Sequence, residues 1–337
     1  MKKLRVIQIG TRHAHAIGAL QALRELNDTF ELVAIGEPDE EQRKKILNDP
    51  PYKDIYICSA QEALSIENID AAIIETDEHD LTKYALMAAK KGLHIQMDKP
   101  GGESVEEFKE LICEVKSRNL IFQPGYMYRF NPAIVKTVEM VKNGELGEIF
   151  SVEAQMSIDN GEGFDAYMSK YKGGITYFLG CHLADVVYKI CGNPENIIPL
   201  NRSDNGADCI NFGMAAYEYK NGVSFIKTVG NEINGFLRRQ IVVTGSLGSV
   251  EIKPIEQFLK DDPSYLVTSM RVLLKKDAES AHFDHTTVID FPKYKRYDDM
   301  FLNFAALIDG KGVKWNSYDE ELEVFKLLMK SCDKGGK

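Results

Sequence analysis

The chain lacks most of what would place it in a membrane, on a nucleic acid or in an oxidising compartment. No run approaches the ~20 apolar residues a membrane-spanning helix needs, so no membrane association is expected. Basic charge is short: 41 Lys and Arg stand against 51 Asp and Glu, a formal net charge of −10. A surface with that balance does not suit a phosphate backbone, and a nucleic-acid partner is not expected. The six cysteines (Cys58, Cys113, Cys181, Cys191, Cys209 and Cys332) show no CxxC or zinc-type spacing and read as reduced thiols. The start, MKKLRVIQIG, is basic, but its apolar stretch is short and passes straight into a strand pattern. The expected location is therefore the cytoplasm. Neither an internal repeat nor a low-complexity linker is visible. Glycine is also missing where a dinucleotide loop would show it. IGTRHAHAIGAL, residues 9–20, keeps Gly10 but has Arg12 and His15 where G-x-G-x-x-G needs glycine.

What is present is an ordinary globular composition, 44% hydrophobic and 27% charged, in a chain long enough for two domains. Over residues 1–124, short apolar runs (KLRVIQIG, ELVAIGE, DIYICS, DAAIIET, LHIQM, NLIFQP) alternate with helical patterns such as TKYALMAAKKG and SVEEFKELICEVKSR. That alternation predicts a doubly wound parallel sheet covered on both faces, with ligands beyond the carboxyl ends of its strands. Over 125–337 the rhythm changes. A helix is predicted from Pro132 to about Gly144, a strand over EIFSVEAQMSI, and one long helix over GGITYFLGCHLADVVYKICG. Hairpins follow around Asn221-Gly222 and within RRQIVVTGSLGSVEIKP. Two closing helices are expected from Tyr297 to Cys332. The fold class is thus α/β: a Rossmann domain, then an α+β domain with a large open, mainly antiparallel sheet.

Four stretches bear side chains suited to chemistry. In the first loop, Gly10 supplies a tight turn, while Thr11, Arg12 and His13 stand where a pyrophosphate would lie. Glu37, after the second strand, can accept hydrogen bonds from an adenosine ribose and would repel a 2′-phosphate. NAD is therefore expected, with NADP not excluded because Arg12 is a potential phosphate partner. MDKPGG puts Asp98, Lys99 and Pro100 at the end of a strand, where an ammonium group can orient a hydroxyl and shift its proton. QPGYMYRFNPA gathers Tyr126, Tyr128, Arg129 and Asn131, groups suited to a polyhydroxylated or anionic ligand. The helix over 173–187 carries His182. A metal site from His13, His15 and His79 has no ligand spacing behind it, and no metal is expected.

Together these stretches resemble the Gfo/Idh/MocA family, the relatives of glucose–fructose oxidoreductase and inositol dehydrogenase. The resemblance runs in order through TDEH at 76–79, DKP, GYMYRFNP, GELGEIFSVEAQ, the G-x-H-x-x-D helix and VTGSLGSVEI. It implies NAD(P)-dependent hydride transfer between nicotinamide and a hydroxyl of a sugar, polyol or related compound. It also implies an assembly through the second domain's open sheet, expected to be a homodimer or homotetramer. Carried over by position, Lys99 and His182 are the implied catalytic pair. Gly10, Thr11, Arg12, His13, Glu37, Thr76, His79, Asp98, Lys99 and Pro100 face the cofactor. Tyr126, Tyr128, Arg129, Asn131, Asp165, Phe178 and His182 face the substrate. Phe178 stands where the family has an aspartate, so Lys99 and His182 act alone or an acid such as Asp159 or Asp165 reaches in. This departure keeps two alternatives open: transient oxidation in an epimerase or glycosidase-like reaction, and a non-catalytic NAD- or sugar-binding sensor.

Overall fold

The computed structural model describes residues 3–161, 163–203, 207–278, 280 and 282–333. It divides into two compact units, Met1–Tyr126 with Tyr297–Leu322, and Met127–Arg296 with Glu323–Lys337. The stretch Tyr297–Leu322, which the sequence reading assigns to the second domain, therefore folds with the first unit. The cause is apolar: Phe301 is fully buried with its ring edge-on to Phe30, at a centroid distance of 6.0 Å.

The first unit holds strands β1 (Leu4–Ile9), β2 (Phe30–Gly36), β3 (Ile57–Cys58), β4 (Ala71–Ile74), β5 (His94–Met97) and β6 (Phe122–Pro124). They pair in parallel in the order β3-β2-β1-β4-β5-β6. The order reverses between β1 and β4, so the crevice for a ligand opens at their carboxyl ends. Helices α1 (Ala16–Glu25), α2 (Glu40–Ile46), α3 (Ala60–Ala63), α4 (Leu81–Lys90) and α5 (Val105–Ser117) make the crossovers. All four residues of β4 are buried, as a strand covered on both faces requires. Gly92 ends α4 at φ 80°, the left-handed stop read from the sequence.

The second unit begins with α6 (Pro132–Lys142), entered through Pro132 and the Asn131 cap. Next come β7 (Ile149–Ser157), α7 (Phe164–Met168), α8 (Gly174–Phe178) and α9 (Gly180–Cys191). The remaining strands are β8 (Asn196–Pro199), β9 (Phe212–Tyr219), β10 (Gly222–Val229), β11 (Gln240–Gly245), β12 (Gly248–Ile252), β13 (Gln257–Phe258), β14 (Leu266–Val267), β15 (Ser269–Leu274) and β16 (Thr287–Asp290). Eight of them form one sheet, β16-β15-β12-β11-β7-β10-β9-β8, antiparallel except where β10 lies parallel to β7. Tyr219 pairs with Gly222, so the β9–β10 loop is Lys220-Asn221, one residue earlier than expected. Helices α6, α8 and α9 pack on this sheet. Burial alternates along β9 and β10, leaving a second face with Ile198, Val223 and Val288 exposed. The chain closes with α10 (Asp298–Ile308) and α11 (Tyr318–Ser331), the two terminal helices anticipated above.

The single long helix expected over 173–192 is instead two. Leu179, at φ −103° and ψ −36°, closes α8 by donating its N–H to Ile175 O, and its carbonyl accepts from His182 N–H at 3.2 Å. Apolar periodicity continues through the break, which is why the pattern alone does not reveal it.

Candidate active site

In the first unit the polar side chains gather at the carboxyl ends of β1, β4 and β5. Gly10 turns the chain at φ 88°, and a Cβ there would meet the backbone of Thr76 at 2.6 Å. The backbone at the end of β1 thus runs directly against the strand beyond the switch point. Beyond that turn, α1 starts with no side-chain cap and no acidic residue in its first turn. Its positive dipole end is left uncompensated, which suits an anion.

The side chains of the loop do not point as a phosphate cradle would have them. Thr11 donates to Glu37 Oε2 at 2.6 Å, and the Asp39 N–H donates to Glu37 Oε1 at 3.0 Å. Glu37 is 1% exposed, and burial raises its carboxyl above the usual range, against these two donors. Arg12 bridges Asp39 at 3.0 Å and Asp77 at 3.7 Å. The exposed carboxylate at the end of β2 is therefore Asp39, which also caps α2 through the Gln42 N–H and which sequence reasoning missed. Two acids follow within three residues of one strand end, and only the first fits the fingerprint.

His13 turns inward. Its Nε2 lies 3.0 Å from Lys99 O, and its Nδ1 accepts the His15 N–H at 3.1 Å and sits 3.3 Å from Asp98 Oδ2. His15 places Nδ1 3.2 Å from both Asp98 oxygens and its ring against Tyr297. The physical reason is a buried carboxylate that needs donors: Asp98 is 2% exposed and takes the Lys99 N–H at 2.6 Å as well. Burial alone would raise Asp98, but the two imidazoles hold it well below the carboxylate range. Burial lowers His15 to about 4 in spite of Asp98. Glu75, next to Thr76, is raised well above its ordinary value by burial and then by Asp98. Glu75 and the fully buried Glu78 were not anticipated, although an acid directly after the apolar AAII of β4 was a readable signal. Thr76 donates to Asp77 O, Pro100 continues the turn after Lys99, and Lys99 is 1% exposed. His79 is half-exposed beside Asp80 and is not part of the cluster formed by His13, His15 and Asp98.

Tyr126 is buried at the end of the first unit's main segment. In the second unit, several residues expected to face substrate are committed to the protein. Arg129 holds Asp185 through two guanidinium nitrogens, at 2.9 and 2.6 Å, with both residues at most 3% exposed. Removing one partner of such a pair leaves a buried charge and costs about 3–5 kcal/mol. Tyr128 donates to Glu256 Oε1, which also accepts from Arg239 at 2.8 Å, and burial with Glu256 pushes the phenol well above its ordinary range. Asn131 caps α6 and donates to Ile255 O at 2.7 Å and Tyr294 Oη at 2.9 Å. These three serve the framework, because GYMYRFNP is where the first strand-helix half ends and a helix must be started and anchored.

His182 lies in the first turn of α9, 3% exposed, its ring edge-on to Tyr128 at 4.9 Å. Phe178 packs against Phe164 and Tyr167 at 5.9 and 5.7 Å, an aromatic wall in place of a carboxylate. Neither acid suggested as a substitute is plainly available. Asp165 accepts from Asn211 at 3.4 Å and from the Cys209 thiol, and Asp159 accepts the Gly161 N–H.

Comparison with known proteins places both units in one family. Residues 4–126 match the family described as oxidoreductase family, NAD-binding Rossmann fold, and residues 134–251 match the GFO/IDH/MocA C-terminal domain. The uncharacterized oxidoreductase YhhX of Escherichia coli (strain K12) is 26% identical over 45% of this chain and 39% of its own. The scyllo-inositol 2-dehydrogenase (NAD(+)) of Bacillus subtilis (strain 168) is 29% identical over 46% of this chain and 44% of its own. The chain thus spans about half the length or less of these curated relatives. A solved levoglucosan dehydrogenase, in complex with NADH and levoglucosan, shares the fold with a TM-score of 0.77 at 16% identity, over 98% of this chain and 97% of that one.

Proposed function

Because the chain belongs to the Gfo/Idh/MocA oxidoreductase family, we propose that it transfers a hydride between nicotinamide and a hydroxyl-bearing carbon of a sugar, polyol or related compound. Relatives named as inositol and levoglucosan dehydrogenases support that substrate class. The observation that carries the reading is Lys99: a fully buried lysine at the carboxyl end of β5, its main chain fixed on both sides by Asp98 and His13.

The residues present suit the cofactor. Gly10 and the uncapped start of α1 would hold the pyrophosphate, with Arg12 beside them. Asp39, and Glu37 once Thr11 yields, would meet the adenosine ribose. Bound there, nicotinamide supplies the hydride acceptor. The two acids argue for NAD over NADP, since Arg12 is already neutralised by Asp39 and Asp77. Lys99 and His182 are the proposed proton-handling groups. Lys99 would orient the substrate hydroxyl and lower the cost of its deprotonation, and the His182 imidazole would take the proton. With Phe178 no carboxylate backs the imidazole, so it would bind the apolar face of a ring instead. Thr76, His79 and Pro100 would line the cofactor side, and Tyr126 and Asp165 the substrate side.

We also propose a cytoplasmic homodimer or homotetramer, assembled through the open sheet face. Six free cysteines and that face's exposed apolar residues support it. No helix among the described residues is long and apolar enough to cross a membrane.

The test is a fluorescence titration with NADH and NADPH, followed by absorbance assays of NAD with a sugar and polyol panel. Tighter NADH binding and net NADH formation are expected. Binding of neither nucleotide would remove the proposal, and nucleotide binding with no turnover would favour a sensor.

A further inference from the structure

The cluster beneath the β1–α1 loop brings together more lone pairs than its hydrogen bonds account for. His13 Nδ1 accepts one N–H, yet it also lies 3.3 Å from Asp98 Oδ2 and 3.6 Å from Glu75 Oε2. Glu75 is 2% exposed, and its Oε2 has no hydrogen-bond partner among the described residues. Electron-rich atoms that close and that dry repel one another unless positive charge lies between them.

We infer that this cluster is a binding site for one divalent cation of the zinc class, held by His13, His15 and Asp98 with Glu75 as fourth donor. The ligand atoms of the first three all lie within 4.8 Å of one another. His15 Nδ1 and His13 Nδ1 stand 3.2 and 3.3 Å from Asp98 Oδ2. Tetrahedral zinc with bonds of about 2.0–2.1 Å has ligand-to-ligand edges of about 3.3 Å, which the two edges to Asp98 Oδ2 match. Two imidazoles and two carboxylates are a borderline donor set that favours zinc over calcium or magnesium.

The outer contacts are also those of a metal site. His13 Nε2 faces Lys99 O at 3.0 Å, a carbonyl that would fix the ring, and Nδ1 would give up the His15 N–H to take the metal. Asp98 Oδ1 takes the Lys99 N–H, leaving Oδ2 toward the histidines. Four protein donors and side-chain exposures of 0% for His13, 2% for Asp98 and 13% for His15 describe a closed site, hence a structural ion. It would fasten a loop short of two glycines to the Asp98–Lys99 turn, a role that does not depend on the nicotinamide reading.

The experiment uses the full-length protein without a histidine tag, stripped with chelator and then titrated with Zn²⁺ and, separately, Co²⁺. One equivalent bound below micromolar free zinc, tetrahedral Co²⁺ absorption bands and a raised thermal midpoint reversed by chelator are expected. Asp98→Asn should weaken binding at least 100-fold. His15→Ala, at the rim and still folded by circular dichroism, should weaken it at least tenfold. Two results would overturn the inference. One is folded wild type taking up no zinc at 50 µM without a thermal shift, which leaves a proton as the only cation. The other is uptake that persists unchanged in both variants.

Discussion

At Gly10 the backbone takes φ 88°, and the space where a Cβ would project is filled by the Thr76 main chain. Alanine there meets both a strained conformation and backbone atoms that cannot swing aside. Gly10→Ala should therefore cost about 1–3 kcal/mol from strain alone and weaken NADH binding, measured as a lower urea midpoint and a raised Kd. An unchanged midpoint would mean the loop relaxes freely. A second residue-scale expectation concerns Asp39. Removing its exposed charge with Asp39→Ser should narrow the ratio of NADPH to NADH Kd, and a ratio that stays fixed would place the 2′-end selectivity elsewhere. At this scale the sequence told part of the story. Lys99 and Gly10 were readable because a motif places them at strand ends. Arg129, Tyr128 and Asn131 carry the same polar groups as ligand-binding residues. Only their partners, Asp185, Glu256 and the α6 backbone, reveal framework roles, and those partners lie 56, 128 and two to three residues away.

Among the elements, β5 and β6 are tied at their beginning by His94, whose Nδ1 accepts the Ile121 N–H at 2.9 Å. Burial lowers the imidazole's pKa, outweighing Asp70, and protonation would put a proton on the accepting nitrogen. The unfolded chain binds this proton below about pH 6.5 while the folded one resists it, so stability falls as pH drops through 6.5 toward the lowered value. His94→Asn should flatten the decline in urea midpoint between pH 7 and pH 5.5 relative to wild type. Parallel slopes for both proteins would show that another group is responsible. The strands themselves were legible, since β-branched apolar runs between helical patterns have one arrangement that buries both faces. The α8–α9 break was not. A continuous apolar face hides a change in backbone course that depends on how Leu179 closes one helix and opens the next.

For the whole molecule, the open face of the eight-stranded sheet exposes Ile198, Val223 and Val288, with Phe225 and Val242 half-buried between them. Charged replacements at Val223 and Val242 should lower the mass seen by light scattering to that of a 38.0 kDa chain, while wild type runs at a multiple of it. A wild type that is monomeric at micromolar concentration would contradict the proposed assembly. That residues 297–322 fold with the first unit was not legible, because a terminal amphipathic helix does not declare in sequence which core it covers. The central claim, a hydride-transferring enzyme that depends on Lys99, is met most directly by one comparison. Wild type and Lys99→Ala would be assayed side by side for NADH Kd and for NAD reduction by the best substrate of the panel. The account predicts a Kd changed by less than a few-fold and a kcat lowered by about 10²–10⁴-fold. Equal kcat in the two proteins would contradict it.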